Sequence, residues 1–500
     1  MKIAKPILSL AFGVSVWLFW WLRYPYDLGF QEQNQLFLFT ADYLGERLGV
    51  AGGLADWVAE FITQFNVIPC LGAALLAGVM VGLQVLVWRC GRTLSPNRVE
   101  DVFYPLSFVP SALLWVAMGD IYVMLSSAVA LASVLALFLL CGRGRSWMAA
   151  VALAGGYWLL GPVVWVFALL RGTYEVRRWR RAGSLWRRAV RFLAWPASVV
   201  VLALVAHYTL LRQYPFDAAL WGINYYRIPL TTPPLLTLTA VAAVVCPLLV
   251  GLLPAVRVRW SRMPLLVVLT AVVAAGTAWG LRVNFDRGAH ELIAYDQLVR
   301  QENWKEILRR ADTFQPRAEI GCVCINLALF MEGQMADGLD DYWQSGVQGL
   351  IVPRVRDFIS NVASYEVFWR MGFVNSALRY AFDSQESIPG CRKSGRHMCR
   401  MAECNIVNGD YAVAEKYLDL LSHSLFYHRW AEEHRSFLYN DDRVRSDRIY
   451  GWLRAARFDE DFLYNYGEMD KMLAIIYRHN PHNVMAAQYF NAWKKLENEK

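Results

Sequence analysis

Three carboxylates and a set of cations are the residues best placed to do chemistry in this chain. Asp27 and Glu32 follow the first apolar run, and Asp120 occupies a tight Gly119-Asp120 turn between two later ones. Arg212, Arg227 and Arg282 stand at or near the ends of further runs, Tyr225 and Tyr226 adjoin Arg227, and His207 lies in the last turns of its run. A carboxylate at a membrane surface could act as general base on an acceptor hydroxyl. Arginines at headgroup depth could clamp a phosphate or pyrophosphate leaving group through paired N–H donors. A plainer reading competes at each position, because loop acids are solvated and arginines at span ends reach for lipid phosphates. Asp120 has the least freedom to point elsewhere, since its turn is so short.

For these groups to act together they must share one face of a membrane, and the arginines decide which. The stretch Arg171 to Arg191 holds eight arginines against one acid, Glu175, with Trp179 and Trp186 among them. Arginine is retained on the cytoplasmic side and tryptophan prefers the headgroup level. Wedged between apolar runs, this belt reads as a topology anchor rather than a nucleic-acid surface. A dedicated site for anionic lipid is the alternative.

The totals point the same way. Of 500 residues 56% are hydrophobic, 21 are tryptophan, and the net charge of +8 comes largely from loop arginines. Nearly all long apolar runs end by Leu281, and the chain from Asn284 onward is charged and punctuated. The expected class is all-α: a transmembrane domain over residues 1–283 and a soluble helical domain over 284–500.

Lys2 and Lys5 precede the run Pro6 to Leu22, which ends on bulky FWWLRYPYD without a small-residue cleavage site. It reads as an uncleaved first span with a cytoplasmic N-terminus. The acid-rich segment 24–66 is expected outside. There Leu54, Val58, Phe61 and Phe65 form one helical stripe, and Gly52-Gly53 separates it from an earlier stripe of Phe37, Ala41, Leu44 and Leu48. Two amphipathic helices lying on the outer surface are expected. Further spans are read at 67–88, 103–118, 121–140, 192–211, 235–256 and 264–281, about seven in all. The run 147–170 is interrupted by Gly161-Pro162, and proline breaks a helix interior. A short-helix hairpin there keeps every arginine-rich turn cytoplasmic and puts the C-terminal domain outside, in the periplasm of a Gram-negative inner membrane. One full span there would reverse the last three assignments.

In the soluble half, Gly409 to Tyr417 (GDYAVAEKY) looks like the second-helix entry of a tetratricopeptide repeat, and Gly372 to Tyr380 repeats the frame. Weaker copies begin at Asn303-Trp304 and Gly333-Gln334, with further helices at 430–438 and 470–477. Small residues permit close helix contact and aromatics fill the gap to the next helix. An α-solenoid that binds a protein or peptide partner, or that packs on its own membrane domain, is expected. Cys322, Cys324, Cys391, Cys399 and Cys404 suit buried free thiols, with a Cys391–Cys399 disulfide open outside the cytoplasm. His397 beside them fits no common zinc spacing.

An acidic first outer loop with surface helices, a second acid between spans three and four, and a terminal soluble domain resemble the layout of GT-C-class membrane glycosyltransferases. That resemblance implies transfer of a sugar from a polyprenyl-phosphate carrier at the outer face, with Asp27, Glu32 or Asp120 catalytic and Arg212, Arg227, Arg282, Tyr225 and Tyr226 toward the phosphate. Asp120 stands alone between Gly119 and Ile121, so no DxD-type pair marks a metal. The segments QEQNQLFLFTADY and GGLADWVAEFITQF, with the repeat-like tail, look like an uncharacterised family of multi-pass envelope membrane proteins from Gram-negative anaerobes, which implies no activity. The alternative to an enzyme is a non-catalytic scaffold that recruits envelope proteins through its repeat domain.

Overall fold

A computed structural model describes residues 3–95, 101–178, 184–222, 233–252, 262–355, 357–457 and 465–498. Every regular element among them is helical. The chain divides into two compact units: Met1–Gln31 with Thr40–Asp286, and Glu32–Phe39 with Arg287–Lys500.

The first unit contains α1 (Ala4–Leu18, continued by a π turn to Arg23), α2 (Pro25–Gln33, whose last two residues pass to the second unit), α3 (Ala41–Leu48), α4 (Gly53–Thr63) and α5 (Pro69–Leu94). It continues with α6 (Val109–Ala117), α7 (Leu125–Cys141), α8 (Ser146–Leu160), α9 (Trp165–Arg178), α10 (Leu185–Thr209), α11 (Phe216–Trp221), α12 (Pro234–Leu252) and α13 (Arg262–Asn284). Among the described residues five helices are long and apolar enough to cross a membrane: Ala4–Arg23, Pro69–Leu94, Leu185–Thr209, Pro234–Gly251 and Met263–Asn284. Their outward faces are apolar. Ile7, Leu10, Val267, Val268, Val272 and Trp279 are all more than half exposed, an arrangement that suits lipid and is costly in water. The runs at 103–118 and 121–140 fold as shorter pieces. Pro105 lies in a 3-10 run, Asp101–Phe108, and Pro110 opens α6, so a continuous α-helix through both prolines is disfavoured.

The chain breaks at Gly161-Pro162, between α8 and α9. Gly161 takes φ +84°, and a Cβ there would meet the Gly52 Cα at 3.2 Å. Only a residue without a side chain lets the two backbones approach so closely. The contact is tied by Gly52 N–H to the Trp158 carbonyl at 2.8 Å and by Trp158 Nε1 to the Leu48 carbonyl at 3.0 Å. At the other end of the pair, Ser146 Oγ donates to Glu175 at 3.2 Å. The start of α8 therefore lies beside the later part of α9.

The stripe Leu54, Val58, Phe61 and Phe65 is only partly covered, while the opposite side of α4 buries Ala55, Ala59, Glu60 and Thr63. The earlier stripe is not one helix. Thr40 caps α3 by accepting from Tyr43 N–H at 3.2 Å, and Phe37 lies upstream in non-helical chain that belongs to the second unit.

The second unit contains α14 (Arg287–Arg300), α15 (Trp304–Thr313), α16 (Glu319–Met331), α17 (Met335–Gly338), α18 (Ser360–Met371), α19 (Val374–Glu386), α20 (Gly395–Asn408) and α21 (Tyr411–Ser422). It ends with α22 (His428–Arg435), α23 (Asp441–Ser446), α24 (Arg448–Ala456), α25 (Met469–His479) and α26 (Val484–Asn498). One turn recurs four times. At Glu302, Gly333, Gly372 and Gly409 the backbone is left-handed, with φ of 54°, 73°, 82° and 84°. In each case the next N–H reaches the carbonyl five residues back: Asn303 to Leu298, Gln334 to Leu329, Phe373 to Phe368 and Asp410 to Asn405. This is the Schellman closure of a helix C-terminus, and it turns α14 into α15, α16 into α17, α18 into α19, and α20 into α21. The second copy is degenerate, because α17 is a single turn.

Candidate functional site

Asp27, in the first turn of α2, is 7% exposed. It lines a narrow cavity of about 30 Å³ with Gln31, Thr63, Asn66, Met118 and Ile121. That volume accommodates a water or two, not a sugar or a phosphate. Gln31 Nε2 donates to the Ile121 carbonyl at 2.9 Å, which holds the Asp120 turn against α2. Asp120 uses its carboxylate locally, accepting Tyr122 N–H at 2.9 Å in an Asx turn. The first unit therefore brings Asp27 and the Asp120 turn to one cavity. Glu32 does not line it and belongs to the second unit.

The cations are spread out. Arg212, in the turn beyond α10, is exposed and donates through Nε to the Tyr208 carbonyl in the last turn of that helix at 2.8 Å. Arg282 is exposed in the last turn of α13. Arg227, Tyr225 and Tyr226 lie outside the described residues, as do Trp179, Arg180 and Arg181 of the belt. His207 packs edge-on against Tyr208 and Phe216. Two belt arginines turn inward. Arg171, 2% exposed, pairs with Glu175 at 2.7 Å and donates to the Gly142 and Gly144 carbonyls past the end of α7. Arg177 donates to the carbonyls of Leu94 and Gly251, at the ends of α5 and α12. A guanidinium is well matched to the negative end of a helix. Leu185 and Trp186, by contrast, are 82% and 74% exposed, as a headgroup-level anchor would be.

A polar cluster in the second unit is built around residues 32–39, which run from the last two residues of α2 into non-helical chain. Leu36 N–H donates to the Lys393 carbonyl at 2.8 Å and Phe39 N–H to the His423 carbonyl at 2.9 Å. Leu36, Phe37 and Leu38 are all buried. Glu32 accepts from Arg300 at 3.1 Å and from the Tyr427 hydroxyl at 2.8 Å. Gln33 donates to Asp296 at 3.2 Å and accepts from Gln297 at 2.9 Å. Arg396 grips both oxygens of Asp296, at 2.8 and 2.9 Å, and reaches Glu366 at 3.4 Å. Glu366 also receives Arg400 at 2.9 Å and Arg370 from its own helix.

Burial penalises the charge on Glu366, yet Arg400, Arg370 and Arg396 outweigh that penalty and hold its carboxyl far below the usual range. Burial lowers His397, and the neighbouring Arg396 adds to the effect, bringing it down to about 3. The ring is therefore neutral near pH 7. Its Nδ1 lies 3.2 Å from the Tyr365 hydroxyl. These acids are matched by guanidiniums rather than poised to exchange protons, which is the arrangement of a structural network.

Arg300, Glu366, Arg396 and Arg400 are not among the candidates taken from the sequence. A signal existed: Arg396 and Arg400 sit four apart on α20, in one row with the buried Cys404. A charge on an apolar helix face calls for a buried partner. Cys322, Cys324 and Cys404 are buried free thiols, and Cys399 is also free. Among the described residues no group of three or more His, Cys, Asp or Glu could hold a metal ion.

Fold and composition define a protein that is all-helical among the described residues, with five helices there of membrane-spanning length, compatible with a membrane protein. The chain belongs to the family of unknown function DUF6057, whose profile matches residues 1–498. No curated protein and no solved structure matches it.

Proposed function

We propose that the protein is a multi-pass inner-membrane protein acting as a non-catalytic scaffold, whose C-terminal unit is a tetratricopeptide-like α-solenoid that recruits envelope proteins. The supporting observation is the way that unit takes up residues 32–39, which leave α2 and run on as non-helical chain from Gln35. Glu32–Phe39 is held by main-chain hydrogen bonds, three buried apolar side chains and the Glu32–Arg300 ion pair. Helical-repeat domains recognise extended segments by this combination. The four recurring Schellman turns favour the repeat reading. In the proposed topology the N-terminus and the Arg171–Arg191 belt are cytoplasmic, the belt meets anionic lipid, and the solenoid is periplasmic.

A second reading keeps the chain an enzyme of GT-C type that uses a polyprenyl-phosphate sugar. Its support is Asp27, a carboxylate in a cavity beside Gln31, Thr63 and Asn66. A deletion strain complemented with variants separates the two, with surface glycans profiled by mass spectrometry. Under the scaffold reading Asp27→Asn and Asp120→Asn restore the wild-type envelope, while the paired change Arg300→Ala and Arg396→Ala does not. Altered glycans in the Asp27→Asn strain at normal protein abundance would replace the scaffold with the enzyme.

A further inference from the structure

One face of α1 and one face of α5 leave a groove between them with a volume of about 700 Å³. Its walls are apolar and its floor is cut by small residues, with Gly13 from α1 and Ala74, Ala77 and Gly78 from α5. From Lys5 to Trp17 the groove follows about 18 Å of helix at 1.5 Å per residue. That is close to the depth of one leaflet, roughly half of a hydrocarbon core about 30 Å thick. Trp17 closes one end, its Nε1 held on the Cys70 carbonyl at 3.1 Å and its ring stacked on Trp21.

The other end is polar and charged. The Lys5 ammonium sits 5.1 Å from the Trp88 ring centre and 5.9 Å from that of Tyr104, and it pairs with Asp101. Ser9 Oγ lies 2.7 Å from the Tyr104 hydroxyl and donates to Gln84 at 2.8 Å. The groove thus ends at Lys5, with Asp101 paired to it beyond the lining and the Ser9 and Tyr104 hydroxyls nearby.

We infer that this groove holds one acyl chain of a zwitterionic phospholipid of the phosphatidylethanolamine type. The phosphate faces Lys5, the ammonium faces Asp101, and the ester region meets Tyr104 and Ser9. Charge complementarity selects the occupant: an anionic headgroup would satisfy Lys5 but confront Asp101, whereas a zwitterion answers both. The chain fills apolar volume that lipid covers better than water. This inference rests on the membrane embedding of the first unit.

The test is native mass spectrometry of the full-length protein released from nanodiscs of equimolar phosphatidylethanolamine and phosphatidylglycerol. One phosphatidylethanolamine should stay bound per chain after the bulk lipid is stripped. A Cβ at either Gly78 or Gly82 meets nothing within 4 Å, and only Gly78 lines the groove. Gly78→Phe should therefore lose the bound lipid, and Gly82→Phe should keep it. Lys5→Gln, which removes a charge-assisted hydrogen bond, should lower retention about tenfold. Equal retention by wild type and Gly78→Phe, preferential retention of phosphatidylglycerol, or no retained lipid would each overturn the inference. Recovery of the protein in the soluble fraction would instead overturn the membrane reading beneath it.

Discussion

Glu32 and Arg300, 268 positions apart in the chain, meet at 3.1 Å. Tyr427 bridges them, accepting from Arg300 at 2.8 Å and donating to Glu32 at 2.8 Å. The end of α2 and the chain that follows it to Phe39 are thereby built into a unit whose other residues begin at Arg287. Glu32→Ala leaves a guanidinium and a phenol without their acceptor, a loss of roughly 2–4 kcal/mol for a largely buried pair. Thermal unfolding of the purified full-length protein should show it, and Glu32→Gln should recover part of the loss. An unchanged melting temperature in Glu32→Ala would remove the ion pair from any account of stability.

His397 sets an acid sensitivity. Its ordinary value of 6.5 is lowered to about 3 in the folded chain, so between these values the unfolded state binds a proton that the folded state refuses. Stability is intact above pH 6.5 and falls as the pH drops through that window, by up to about 1.4 kcal/mol per pH unit. Arg396, Glu366, Tyr365 and Arg300 surround the ring and keep their charge states there. Melting temperatures measured from pH 7.5 to 5 should decline in wild type and decline less in His397→Asn. Parallel profiles for the two proteins would refute the assignment.

Ala414 is fully buried on α21, at the alanine position of the GDYAVAEKY frame. Ala414→Asp would bury a carboxylate where a methyl group now packs, a loss of roughly 3–5 kcal/mol. Residues 284–500 expressed alone should give a strongly helical circular dichroism spectrum, although they lack the Glu32–Phe39 segment. The variant should shift the unfolding midpoint sharply downward; a shift within experimental error would argue that the α20–α21 contact is loose.

Topology is the fourth expectation. With the hairpin at α8–α9 on the cytoplasmic side, alkaline phosphatase fused after Lys500 should be active. Green fluorescent protein exported at the same site by the general secretory route should be dark. The reverse pattern would make residues 147–170 a full crossing and place the second unit in the cytoplasm.

The local rules were legible along the chain. Five of the long apolar runs marked membrane-length helices, whereas 103–118 and 121–140 fold shorter; Gly161-Pro162 marked a helix break because proline forbids the interior hydrogen bond, and the Gly372 and Gly409 frames marked the starts of α19 and α21. Periodicity alone misread Phe37 as helical, since an apolar residue buried in extended chain looks the same in sequence as one on a helix stripe. What the tertiary structure decided was the company each charge keeps. Asp27 and Glu32 are neighbours in sequence, yet one lines a water-sized cavity and the other closes an ion pair with Arg300. Arg171 looked like one more belt arginine until the fold buried it on the Gly142 carbonyl. A charge's role depends on its partner and on how far water is excluded around it, and both are set by contacts between residues hundreds of positions apart, which spacing along the chain does not encode.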